Sequence, residues 1–253
     1  MIDPKPPITH QNRKEICMRL FLLSFIFVIV TPYKCNKPNR TQFPVFGIDI
    51  SHHQGRMHWD KLKASEVDFI FMKSSEGGDS KDSMFRFNWA MANTLNIKRG
   101  AYHYFTFCRS GRDQARNFIE AVSLQQGDLP PVIDLEFGGN CKRNVFNREQ
   151  LIGEIQVFLT IVEERYCSPV LIYTTNEFYK DYISGKFPNN PVWIREVLVQ
   201  PHLSDNKDWS FWQYRVDTLS GIKGDVDMNV FNGSKEEFNE FLLDSCMHPI
   251  SLQ

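Results

Sequence analysis

The sequence has no apolar run long enough to cross a bilayer comfortably. About 20 apolar residues are needed for a span, and the longest run, Leu20–Val30 (LFLLSFIFVIV), stops short of that. It also has no excess of charge of one sign. The 29 Lys and Arg stand against 30 Asp and Glu, for a formal net charge of −1 without any long basic or acidic run. The basic stripe of a nucleic-acid binder is therefore missing. No Gly-rich dinucleotide fingerprint follows an apolar segment, and neither a His-Glu-x-x-His motif nor an EF-hand loop occurs. The six cysteines match no zinc spacing, and none is tied to a His by a recognisable nucleophile signature. No cofactor and no required metal are expected, although carboxylates such as Asp49 and Asp134 leave an oxygen-ligated Mg²⁺ or Ca²⁺ as a rival use.

The short apolar run is informative because Arg13, Lys14 and Arg19 precede it. Positive charge ahead of a short apolar stretch is the pattern of a secretory signal. Residues 1–33 are expected to act as a signal peptide or, uncleaved, as an anchor attaching the chain to a membrane. Either reading makes the protein an exported one. Residues 34–45, polar with two prolines, read as a linker. In an exported protein Cys108 and Cys141, each a few residues beyond a predicted strand, are candidates for one disulfide, with free thiols as the alternative.

From Phe46 onward, short apolar segments alternate with helical patterns. FGIDIS, VDFIFMKSS, RGAYHYFTF, PPVIDLEF, SPVLIYTT, NPVWIREV and WSFWQYRV read as strands. Helices are predicted over 82–95, 113–124, 148–166 and, after GDVDMNVFNG, 234–243. This alternation implies an α/β protein with a mostly parallel sheet. The number of units suits a modified, irregular (β/α) barrel, TIM-barrel-like, as a single domain over 46–245; an open doubly wound sheet is the alternative. A monomer is expected.

Polar residues recur at the strand ends, where a barrel gathers its active site. They are Asp49; Lys73, Ser75 and Glu76; Tyr102 and His103; Asp134 and Glu136; Tyr173; Gln213 and Tyr214; and Asp227. Asp134-Leu135-Glu136 is the centre of the set. Residues i and i+2 on a strand share a face, about 6.6 Å apart along it. Two carboxyls that close do not ionise independently, and one proton affinity rises. Glycoside hydrolysis uses such a pair, one as acid for the leaving oxygen and one as anion facing an oxocarbenium-like charge. Aromatics at the strand ends suit a sugar cleft, because their faces stack on sugar rings while their polar tips bond hydroxyls. Tyr102, Tyr173, Trp193, Trp212 and Tyr214 are the candidates, with Gln213 and Glu76 as polar contacts. Trp59, Trp89, Phe105 and Phe107 are assigned to the core. His52 and His53 read as rim structure or substrate contacts.

With these segments in hand, the chain resembles the family 25 glycoside hydrolases, lysozymes of the N-acetylmuramidase type. The matching pieces are FGIDISHHQG, FIFMKSSEG, RGAYHYF, LPPVIDLE, VLIYTT, WQY and GDVDMNVF, in family order over roughly 46–243. The resemblance implies peptidoglycan glycan strands as the partner, cut at the β-1,4 bond from N-acetylmuramic acid to N-acetylglucosamine. It implies Glu136 as general acid. It gives Asp134 the role of stabilising the charged intermediate or orienting the substrate's acetamido group, with Asp49 and Asp227 completing the acidic set. The D-x-x-D-x-D-x-E signature of chitinases is absent, since 129–136 read LPPVIDLE. One departure stands out. Where the family often has Trp-Ile-Ala and an aromatic, this chain has Trp193-Ile194-Arg195-Glu196. Gly77-Gly78 also suggests a freer loop after Glu76.

Overall fold

The computed structural model describes residues 38–63, 67–137, 141 and 146–244. The expected signal or anchor over 1–33 lies outside them. Among the described residues no helix is long and apolar enough to cross a membrane.

Eight strands close into a barrel in the order β1-β9-β8-β7-β6-β5-β4-β2, with β1 pairing back onto β2. They are β1 (Phe46–Ile50), β2 (Phe69–Glu76), β4 (Lys98–Tyr104), β5 (Val132–Leu135), β6 (Leu171–Thr175), β7 (Val192–Arg195), β8 (Phe211–Thr218) and β9 (Asp225–Phe231). A two-residue strand, β3 (Ser80–Lys81), folds back on the end of β2. All neighbouring pairs in the barrel are parallel except those of β9, which runs antiparallel to both β8 and β1. This is the irregularity of the expected barrel. No helix separates β8 from β9, so the chain turns straight back and β9 enters from the opposite end.

Alternation along each strand sorts side chains into two layers. Val45, Phe69, Phe71, Leu129, Val132, Leu171, Tyr173, Trp193, Phe211 and Phe231 fill the barrel interior. Ile48, Ile70, Met72, Ala101, Ile133, Ile172, Ile194 and Val230 face outward under the helices. The interior is largely aromatic: Phe71 stacks on Trp193 with ring centroids 4.4 Å apart, and Phe69, Phe211 and Phe231 meet edge to face or tilted. Two glycines make room for these rings. A Cβ on Gly47 would lie 2.4 Å from the Phe69 ring, and one on Gly100 would lie 2.5 Å from the Phe71 ring.

The helices follow their caps. The helix Arg148–Tyr166 begins at Asn147, whose side chain accepts from the Gln150 backbone while Gln150 returns a bond to the Asn147 N–H. The helix Gly111–Ala121 begins two residues ahead of the predicted start and is capped by Ser110. Phe43 and Val45, placed at the end of the expected linker, are instead buried, and Phe43 packs against the rings of Trp209 and Trp212. The structured domain thus begins before Phe46, because two large apolar residues there have somewhere to go. Gly77 and Gly78 do not free their loop. The Asn117 amide donates to the carbonyls of Glu76, Gly77 and Ser80. Cys108 and Cys141 form a disulfide that joins the segments following β4 and β5, and Cys167 is disulfide-bonded as well.

Gly47→Ala and Gly100→Ala should each cost about 1–3 kcal/mol, because the rings they meet are locked by other rings and cannot withdraw. In a domain of this size that lowers Tm by roughly 2–4 °C per kcal/mol, which calorimetry would read. An unchanged Tm would show that the interior yields.

Candidate active site

A cavity of about 540 Å³ opens at the C-terminal ends of the parallel strands. Period-2 alternation brings each polar residue there on the same inward face as the rings below it. Asp49 follows Gly47, Lys73 follows Phe71, Asp134 follows Val132, Arg195 follows Trp193 and Gln213 follows Phe211. Asp227 arrives differently. Because β9 is antiparallel, its beginning lies at this end of the barrel, and Asp227 sits opposite Asp49 in the strand register.

Asp49 is held by a relay of amides. Trp193 Nε1 donates to Asn229 Oδ1 at 2.8 Å, which turns the Asn229 amino group toward Asp49 Oδ2, also at 2.8 Å. The Tyr173 hydroxyl donates to Gln213 Oε1 at 3.1 Å, which turns the Gln213 amino group onto the same Asp49 oxygen at 2.9 Å. Each amide has its oxygen occupied, so each presents its donor to the carboxyl.

All four acids bind their protons more tightly than usual. Burial pushes the Asp49 carboxyl up, the neighbouring Asp227 charge adds to this, and the two amide donors pull back. For Asp134, burial comes first and Glu136 second, opposed by Lys73. Among the described residues its Oδ1 is buried without a hydrogen-bond partner. Burial also raises Glu136, with Arg195 and Lys73 opposing and Asp227 adding. Asp227 is raised by burial and lowered by Arg195. Burial likewise holds Tyr102 and Tyr173 neutral, as hydroxyl donors and acceptors. The cluster therefore keeps protons at a pH where isolated carboxyls have lost them.

The structure brings Asp49, Asp134, Glu136, Asp227, Tyr102, Tyr173, Trp193 and Gln213 to one cavity. It places three other candidates elsewhere. Trp212 and Tyr214 lie in the outward layer, packed with Phe43 and with each other, since they flank the inward Gln213. Glu76 stands off the cavity wall, its carboxylate accepting from Lys73 Nζ at 2.5 Å. His53 lines the cavity, whereas His52 bonds Asp82 at 2.8 Å. Tyr104 also lines the cavity, whereas Asn229 was not singled out from sequence and Arg195 was noted only as a departure from the family pattern. For Asn229 and Arg195 the signal was available, because each lies two residues from a candidate on its own strand. Among the described residues no three of His, Cys, Asp and Glu gather in a metal-holding group.

Known proteins resemble this chain in sequence and in fold. The family described as Glycosyl hydrolases family 25 matches residues 48–221. Lysozyme M1 of Streptomyces globisporus is 33% identical over 203 residues, covering 75% of this chain and 68% of that protein. The YegX protein of Escherichia coli O6:H1 is 33% identical over 206 residues, 79% of this chain and 74% of its own length. A family 25 glycosyl hydrolase structure from Bacillus anthracis superposes with a TM-score of 0.75 at 38% identity, covering 81% of this chain and 96% of that one.

The raised proton affinities have a cost in stability. A carboxyl that holds its proton more tightly when folded stabilises the fold at low pH, and that contribution is lost as pH rises from its unfolded value of about 4 through its folded value. Asp134→Asn should therefore raise Tm at pH 7, by about 2–4 °C for each kcal/mol relieved. The gain should vanish below about pH 4. A variant less stable than wild type at pH 7 would contradict this account of Asp134.

Proposed function

The chain belongs to the glycosyl hydrolases of family 25, and from that premise we propose that it is a lysozyme of the N-acetylmuramidase type. In this reading it hydrolyses the β-1,4 bond between N-acetylmuramic acid and N-acetylglucosamine in peptidoglycan. The observation that carries it is the pair at the end of β5: a buried Asp134 with one unpartnered oxygen, and beside it Glu136, whose raised proton affinity suits it to act as an acid. The lysozyme among its relatives supports the choice of substrate.

Glu136 delivers its proton to the glycosidic oxygen as the C1–O bond breaks, and the electron pair of that bond leaves with the departing sugar. Positive charge then develops at C1 and the ring oxygen. Asp134 faces it, either directly or by accepting the N–H of the 2-acetamido group on its open oxygen so that the acetamido oxygen turns toward C1. Water completes hydrolysis, placing hydroxyl on C1 and returning a proton to Glu136. Asp49 adds to the proton affinity of Asp134, and Asp227 adds to that of Glu136. Tyr102, Tyr173, Trp193 and Gln213 are read as the sugar-facing wall, with Trp193 as its aromatic floor. Export by way of residues 1–33 fits a wall substrate, and the Cys108–Cys141 disulfide supports an oxidising compartment.

The test is digestion of purified peptidoglycan by wild type and Glu136→Gln, with released ends identified by mass spectrometry. Wild type should liberate reducing N-acetylmuramic acid ends. The variant should lose at least about 10²-fold in rate while keeping its fold, because an amide cannot donate the proton. The wild-type rate should fall as pH rises through the raised Glu136 value, since the acid must be protonated. Release by the variant at near wild-type rates would remove Glu136 from this role. No release by either protein on several wall types would favour a non-catalytic glycan-binding domain.

A further inference from the structure

Among the described residues Arg195 is a cation with no direct hydrogen bond or ion pair from its guanidinium, in a cavity proposed to take a largely neutral polymer. It is the last residue of β7, two positions beyond Trp193 on the inward face, and it lines the cavity. It is half-buried. Among the described residues no carboxylate oxygen lies within 4.0 Å of its guanidinium nitrogens, and it makes no hydrogen bond there. Glu136 and Asp227 feel its charge without touching it. The other cavity cation, Lys73, is already engaged: its ammonium reaches Glu76 at 2.5 Å and lies over the Tyr104 ring. Only Arg195 of the two leaves its donors open to the cavity.

Its backbone is fixed. The next residue, Glu196, accepts from Trp212 Nε1 at its carbonyl, and its carboxylate accepts from the Asn176 amide at 2.7 Å and the Leu198 backbone at 3.0 Å. The guanidinium thus starts from an anchored strand end. The nearby charges of Glu136 and Asp227 act on the guanidinium but leave its N–H donors unbonded, and its planar fork matches a carboxylate.

The repeating N-acetylhexosamines of a peptidoglycan strand carry hydroxyl and acetamido groups, which are neutral. The acidic element is the 3-O-lactyl arm of the muramyl residue. Its carboxyl is free on peptide-stripped strands; on intact strands it is an amide to a stem peptide that bears carboxylates of its own. We propose that Arg195 is a specificity residue that receives a carboxylate carried on the 3-O-lactyl arm of the muramyl sugar. This rests on the muramidase reading and narrows its substrate. It also gives a use to the position where this chain departs from the Trp-Ile-Ala pattern of the family it resembles.

The experiment compares kcat/KM of wild type, Arg195→Gln and Arg195→Lys on three substrates: peptide-stripped strands, the same strands with their lactyl carboxyls converted to methylamides, and intact peptide-bearing strands. Wild type should prefer a carboxylate-bearing strand over the methylamide by about tenfold, the scale of one charge-assisted contact. Arg195→Gln should bring that ratio close to one, and Arg195→Lys should retain part of it, because an ammonium keeps the charge but not the fork. Using ratios cancels any general loss of turnover in the variants. A preference for peptide-stripped strands assigns the contact to the lactyl carboxylate. A preference for intact strands alone assigns it to the stem peptide. Equal rates on all three in wild type, or a preference that survives Arg195→Gln, overturns the proposal. Failure of wild type to cut any strand would instead remove the muramidase reading. Calorimetric binding of peptide-stripped strands would then still decide the role of Arg195, with about tenfold weaker binding by Arg195→Gln supporting it and equal binding overturning it.

Discussion

The site depends on one strand pairing. β9 runs antiparallel to β1, and the register sets Asp227 opposite Asp49 and Asn229 opposite Gly47. Side chains alternate along a strand, so a slip of one residue would turn Asp227 and Asn229 out of the cavity and bring Met228 in. Two carboxyls would separate, and Asp49 would lose the amide that bonds it. The backbone ladder of β9 is therefore also a positioning device. The pairing is antiparallel because the chain reverses directly after β8, with no crossover helix, and the missing helix is what carries the start of the strand to the catalytic end.

Beneath the acids the barrel holds a plug of rings, and the two layers are joined through Trp193. Its ring stacks on Phe71 and its indole nitrogen donates to Asn229, which in turn donates to Asp49. Packing in the apolar interior thus reaches a carboxyl oxygen through two hydrogen bonds. The glycines opposite Phe69 and Phe71 belong to the same construction, because they let large rings fill a narrow tube that would otherwise need small side chains. The tension between stability and chemistry is concentrated one layer up, where buried carboxyls hold protons against the ordinary preference of such groups for ionisation in water.

Much of this was legible in the sequence. The helix 148–166 was legible to its ends, and the structure bounds it with a reciprocal cap between Asn147 and Gln150 and a left-handed turn at Cys167. The strands were visible as apolar runs, and Asp49, Asp134, Glu136 and Asp227 stood at their ends. What escaped was of four kinds. Trp212 and Tyr214 look like cleft aromatics by type, yet alternation about the inward Gln213 sends them outward, and a bulge between Gln213 and Arg215 further shifts the pairing. The direction of β9 left no trace in composition, since an antiparallel strand buried in a barrel has the same apolar character as its neighbours. The orientation of the Asn229 and Gln213 amides is a property of hydrogen bonds between distant strands, and no local pattern encodes it. Phe43 and Val45 were masked by the prolines and polar residues around them.

The closing position of β9 also has a consequence in time. Synthesis runs from the N-terminus, and until residues 225–231 emerge β1 keeps one edge unpaired, the amide relay to Asp49 lacks Asn229, and the fourth acid is missing. An incomplete chain holds Asp49, Asp134 and Glu136 but no cavity in which their protons are tuned. The cavity is therefore complete only once β9 has paired with β1.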